Sequence, residues 1–173
     1  MEEKIIEDYM HLKAELYGEL IPRSLANALV SEANWIGRGN CMSGEDIGIF
    51  VEVGDIVYLD YGQAYLNEMG YQHFGLVLAI SEKKALVCPM TSNAHTYANA
   101  YDFDINPFGK KNLYPLPGII DGLCKQSVLF LNDMKFINTA RIIEKKAHID
   151  VKSSLFRKIQ LRIMAILFGG NIV

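Results

Sequence analysis

The period of the apolar residues changes at Val51, and that change decides what this chain can fold into. Upstream, Ile5, Ile6, Tyr9, Met10, Leu12, Leu16 and Tyr17 fall at helical spacing over Glu2 to Tyr17. Gly18 and Pro22 break that helix. A second helix is predicted from Pro22 or Ser24 to about Trp35, with Pro22 suited to a first turn and Ser24 to a cap. Gly37, Gly39, Gly44 and Gly48 mark a loop-rich stretch after it. From Val51 the run VEVGDIVYLDYG reads as a strand, since β-branched and aromatic residues suit a pleated, half-buried surface.

Further strands are predicted over Phe74 to Ile80, Ala85 to Met90 and Tyr101 to Ile105, with a strand pair or one bent strand over Ser127 to Ile137. Residues 62–72 and the proline-rich Asn106 to Gly118 read as loops, and residues 94–100 as a small, polar connection. His148 to Phe168 is predicted helical, with Val151, Leu155, Ile159, Ile163 and Ile166 on one stripe and Asp150 or Ser153 as the cap. Short strands at tight spacing with one closing helix give an α+β chain: a small β-barrel with a C-terminal helix and an added N-terminal helical extension. The division falls at residues 1–50 and 51–173.

Charge follows the same division. Residues 1–50 hold 4 Lys+Arg and 9 Asp+Glu, whereas residues 51–173 hold 13 and 11, so the whole net charge of −3 comes from the acidic extension. A strongly basic nucleic-acid binder is excluded, but the barrel half is mildly basic. Cys41, Cys88 and Cys124 are too few and too scattered for a disulfide framework or a structural zinc site. The acidic start has no secretory pattern, and no apolar run reaches membrane-spanning length, so the expected compartment is the cytoplasm and no membrane partner is expected. The four histidines show no metal-ligand spacing and no phosphate-binding glycine loop occurs; no metal and no cofactor is proposed.

Four segments, in order, carry a resemblance. They are Gly54-Asp55-Ile56-Val57-Tyr58; Asn67-Glu68 followed by Gly70 and Leu76-Val77-Leu78; Pro89-Met90-Thr91-Ser92; and Ser127-Val128-Leu129-Phe130 running on to Arg141-Ile142. Together these resemble the MazF/PemK family of type II toxin endoribonucleases over roughly Val51 to Leu167. The resemblance implies an SH3-like barrel that forms a homodimer and grips single-stranded RNA in a groove. It also implies metal-free, sequence-selective cleavage and an antitoxin protein that blocks the groove.

Metal-free cleavage needs a group to deprotonate the 2′-hydroxyl, a proton for the 5′-oxygen, and donors or cations at the phosphate. His73 stands where the resemblance leads one to expect arginine. Imidazole titrates near neutrality, so His73 is the candidate acid/base or phosphate donor; otherwise it is merely polar and the site is dead. Thr91 matches the family's threonine and is the second catalytic candidate, with a hydroxyl able to donate to phosphate oxygen. Substrate contacts are expected from Glu68 and Tyr65 in the 62–72 loop, from Ser92, and from Lys135 and Arg141. Tyr61, Phe74 and Tyr97 are further stacking candidates, and His95 could line the groove. Asp133, in a glutamine position, could read a base edge. A non-catalytic RNA- or protein-binding module on the same barrel is the alternative. The extension is expected to be a structural appendage, or else an acidic cover over the groove.

Overall fold

In the computed structural model, which describes residues 2–169, two helices precede a single antiparallel sheet. Helix α1 (Glu2–Gly18) and helix α2 (Pro22–Arg38) form a hairpin: Lys13 of α1 pairs with Glu32 of α2, and the Tyr17 hydroxyl donates to the same carboxylate at 3.4 Å. Pro22 opens α2 as predicted, but Ile21 is the N-cap residue and Ser24 lies inside the helix. No residue of α1 is buried; Ile5, Tyr9, Leu12 and Leu16, at heptad spacing, are 54–63% exposed.

The strands are β1 (Asp55–Asp60), β2 (Gln72–Ser81), β3 (Lys84–Thr91), β4 (Leu113–Pro115), β5 (Val128–Phe130), β6 (Lys135–Asn138) and β7 (Ile142–His148). Their order is β4-β5-β3-β2-β1-β7, and β6 pairs with the opposite end of β3 from β5. The sheet coils until β6 and β7 meet through the 3-10 turn Thr139–Arg141, without a ladder between them among the described residues. The barrel is therefore partly open. Asn138 stiffens the corner by accepting from Ala140 N at 2.8 Å.

Side-chain alternation divides the apolar residues between two faces. Val57, Leu59, Tyr61, Val77, Val87, Ile137 and Ile142 fill the inside of the coil. Ile56, Leu76, Cys88, Met90 and Leu129 point outward and are covered by helix α4 (Ser154–Phe168) through Phe156, Ile159 and Ile163. Full burial of each of these three contributes about 1.5–3 kcal/mol. Ser153 caps α4 by accepting from Phe156 N at 3.1 Å, so the helix starts six residues later than its sequence pattern suggests. Val151, on the predicted stripe, lies before it.

The sequence reading misses β7, because IIEKKAH is too charged to read as a strand; as an edge strand it exposes its lysines and glutamate. It also places a strand over Tyr101 to Ile105, where the structure has turns and an isolated bridge between Asp102 and Asn106. Residues 94–100 contain the short helix α3 (Ala94–Ala98), capped by Asn93, and β4 lies in the proline-rich segment read as loop. Residues 170–173 of the expected barrel domain lie outside the described residues.

Candidate active site

The site is built where β1 turns into β2. Tyr61 N donates to Tyr71 O at 2.8 Å and Tyr71 N to Gly62 O at 2.6 Å, so the 62–71 loop is pinched at its neck. Gly62 has a φ of 82°, which suits glycine at this turn. The loop's far side is held by a strand-end pair. Asp133 accepts from Met69 N at 2.5 Å, and Lys135 donates to Met69 O at 3.2 Å while lying 3.5 Å from Asp133. Lys135 also lies 5.6 Å over the Tyr61 ring.

His73 pairs with Leu59 across β1–β2. On its other side, β2 and β3 pair Phe74 with Met90, and one further step along that antiparallel register sets His73 opposite Thr91. Opposed residues share a face, here the inner one that Val77 and Val87 occupy. Continued past Phe74↔Met90, the register therefore puts His73 and Thr91 at the same end of the β2–β3 ladder and on one face, with His73 against the loop carbonyl of Gly70. Gly75 is required between them and the interior, since a Cβ there would fall 2.3 Å from both the Tyr61 hydroxyl and Val87 Cγ1.

His73 Nδ1 lies 2.8 Å from Gly70 O. A carbonyl only accepts, so Nδ1 carries the proton and the neutral ring keeps its lone pair on Nε2. Burial is the main cause pushing the His73 pKa below its ordinary value, the Gly70 carbonyl opposes it, and the Arg23 charge adds to the lowering. The arrangement favours a neutral ring able to take a proton. Thr91 Oγ1 accepts from Asn93 N at 3.3 Å, which leaves its own hydrogen free to be donated.

The other expected contacts divide. Glu68 and Tyr65 are exposed on the loop, Tyr65 at 87%. Ser92 is exposed and opens onto a separate cavity of about 410 Å³ with Tyr97 and Lys125. Lys135 and Asp133 both hydrogen-bond the Met69 backbone and so anchor the loop. Arg141 reaches Asp60 O at 3.4 Å and lines a cavity of about 430 Å³ against Ser31, Trp35 and Arg38 of α2. Its guanidinium also lies against the loop neck, where a Cβ added at Gly62 would fall 3.0 Å from Arg141 Nη1. Of the stacking candidates, Tyr61 is only 7% exposed and its hydroxyl finds no partner among the described residues. Phe74 is half-buried with its ring 5.1 Å from Tyr58, and Tyr97 donates to Leu116 O at 3.2 Å. His95, on α3, meets Asn99 at 3.2 Å.

Two clusters escaped the sequence reading. Asp60, buried at the end of β1, accepts from Ser31 Oγ, Asn34 Nδ2 and Gly62 N at 2.9, 3.2 and 2.9 Å, which couples α2 to the loop neck. Polar residues recurring along α2 were the available signal. At the opposite end of β1, the fully buried Asp55 meets His148 Nδ1 at 2.8 Å, Lys145 Nζ at 3.1 Å and Glu52 N at 2.9 Å. Glu52, Asp55 and His148 are close enough to share a cation, but the Lys145 ammonium already supplies the positive charge there. The cluster ties the Gly54 turn, with its φ of 97°, onto β7.

No family model and no curated protein matches the chain. Solved structures do match in three dimensions. MazF (Form-I) from Deinococcus radiodurans aligns over 69% of this chain and 97% of its own, with a TM-score of 0.51 and 17% identity. The MazE-MazF complex (Form-II) from the same organism aligns over 71% and 99%, at 0.44 and 17%. An endoribonuclease in complex with its cognate antitoxin from a mycobacterial species aligns over 68% and 95%, at 0.47 and 9%. The latter two superpose more loosely, and the fold assignment rests on the first. With its coiled antiparallel sheet and the helix packed across it, the chain carries a MazF-like fold.

Proposed function

We propose that this protein is a metal-independent, sequence-selective endoribonuclease acting on single-stranded RNA, the toxin of a toxin–antitoxin pair. The observation that supports the reading is the β2–β3 register, whose continuation one step past Phe74↔Met90 puts His73 and Thr91 on the same face, together with the Gly70 carbonyl that takes Nδ1 and leaves Nε2 for the substrate. Nε2 takes the proton of the 2′-hydroxyl as its oxygen attacks the adjacent phosphorus. The Thr91 hydroxyl donates to a non-bridging phosphate oxygen, and the protonated imidazole returns a proton to the departing 5′-oxygen. The products are a 2′,3′-cyclic phosphate and a 5′-hydroxyl.

The 62–71 loop, with exposed Tyr65 and Glu68, closes over the RNA, and Tyr65 stacks on an unpaired base. An antitoxin protein occupies the same groove. The protein works in the cytoplasm as a homodimer. In support, no described helix is long and apolar enough to cross a membrane, and α1 displays an apolar heptad stripe. Residues 1–50 act as a helical appendage on the barrel domain of residues 51–173.

The test is a gel assay of the purified chain on a single-stranded RNA pool with EDTA present. Cleavage that persists in EDTA and is lost in Thr91→Ala supports the enzyme. RNA retained without cutting supports the non-catalytic module, and a chain that neither cuts nor retains RNA points to a protein-binding role.

A further inference from the structure

The cavity of about 430 Å³ between the helical hairpin and the barrel plays no part in the chemistry assigned above. His73, Thr91, Tyr65 and Glu68 are not among its walls, whereas Gly62 and Gln63 at the loop neck are. Its volume falls within the range of small-ligand sites, about 300–1,000 Å³. Trp35 and Arg38, three residues apart and so neighbours on α2, form one wall, and Arg141 lines it from the barrel. Trp35 is 70% exposed, so its indole is open to a partner. Arg38 donates to Ile142 O at 2.9 Å and Ala140 O at 3.3 Å, and Arg141 to Asp60 O at 3.4 Å. Carbonyls accept these bonds without cancelling charge, and neither arginine forms an ion pair among the described residues. The two carboxylates in the walls have other partners: Lys13 pairs with Glu32, and Asp60 accepts from Ser31 Oγ, Asn34 Nδ2 and Gly62 N. The exposed Gln63 amide has no hydrogen bond among the described residues and keeps both donor and acceptor.

We propose that this cavity is a nucleotide-binding site made jointly by the N-terminal hairpin and the barrel. The base stacks on Trp35, which is sequence-tolerant because every base has a π-face. The phosphate takes its countercharge from Arg38 and Arg141, whose guanidinium groups match phosphate oxygens. Gln63 meets the polar edge of the base. A small anion without a ring leaves the indole unused, and a neutral aromatic leaves both cations unpaired, so the walls together select a ring that carries negative charge. One nucleotide of a single strand and a free mononucleotide present the same chemistry here. The site stands apart from the nuclease reading, since nothing in it depends on cleavage. The hairpin then contributes ligand contacts of its own as well as packing on the barrel.

Trp35 is the single tryptophan of the chain, so its emission, excited at the red edge of indole absorption where bases do not absorb, reports this cavity directly. The full-length protein is titrated with AMP, GMP, CMP and UMP, with adenosine, with inorganic phosphate as competitor, and with a mixed-sequence, uncleavable 2′-deoxy oligonucleotide. The monophosphates are expected to quench saturably, and adenosine to bind about tenfold more weakly than AMP. Arg141→Gln should weaken AMP about tenfold and leave adenosine unchanged, a difference that a disturbed fold does not produce. Trp35→Leu, followed by equilibrium dialysis, should weaken both alike. Oligonucleotide binding at least as tight as that of AMP identifies the ligand as part of a strand; weaker binding, or none, identifies a free nucleotide. Absence of saturable quenching by every nucleotide and by the oligonucleotide, or an Arg141→Gln variant that binds AMP as the wild type does, overturns the proposal. A wild type that binds here but does not cut RNA in EDTA removes the nuclease reading and leaves this site standing; cutting without binding here does the reverse.

Discussion

At the residue scale the environment of His73 sets a pH dependence of definite sign. Burial holds its folded pKa below the unfolded value near 6.5, so the native state resists the proton that the unfolded chain accepts. Stability is unaffected by this group above about pH 6.5 and falls as pH drops from there toward the folded pKa. Urea unfolding of His73→Gln against wild type at pH 7.5 and 5.5 checks this, the variant losing less stability on acidification. The acid limb of the cleavage rate should likewise have its midpoint below about 6.5. Tyr61 offers a second test. Its buried hydroxyl has no partner among the described residues, so Tyr61→Phe should raise unfolding stability by about 1 kcal/mol. Gly75→Ala should do the reverse, because the added methyl has no room beside Tyr61 and Val87.

Among the elements, those with strong period were legible and those set by partners were not. Helices α1, α2 and α4 and strands β1 to β3 followed from spacing, whereas His73 and Thr91 were singled out only through the family resemblance of the segments around them. Strand β7 was not legible, since its ladder to β1 and the Asp55 clasp, rather than apolar alternation, define it. The role of Asp133 was invisible for a similar reason: its partner, Met69 N, lies 64 residues away. Arg141 was expected from sequence as a substrate contact; its position against Asp60 O, 81 residues away, follows from the coiling of the sheet and was not legible. Helix α4 carries its own prediction. Ile159 is wholly buried against the outer face, so Ile159→Ala should cost about 2–5 kcal/mol in urea unfolding while α2 and the site stay in place.

For the whole molecule, the hairpin joins an apolar outer surface to a polar seam on the barrel. The seam ties α2 to Asp60, to the corner turn and to Gln72, all within a few residues of the candidate site. The outer surface leaves Ile5, Tyr9, Leu12 and Leu16 uncovered, which suits pairing between copies. Analytical ultracentrifugation should find a dimer in the wild type and a shift toward monomer in the Leu12→Glu, Leu16→Glu double variant. The central claim, that His73 and Thr91 act together on the phosphodiester, is tested most directly by a double-mutant cycle on RNA cleavage. His73→Ala and Thr91→Ala should each slow cutting by about 10²-fold or more, and the double variant should lose little beyond the worse single. Cleavage that proceeds at the wild-type rate in either single variant, or losses that simply multiply in the double, would contradict it.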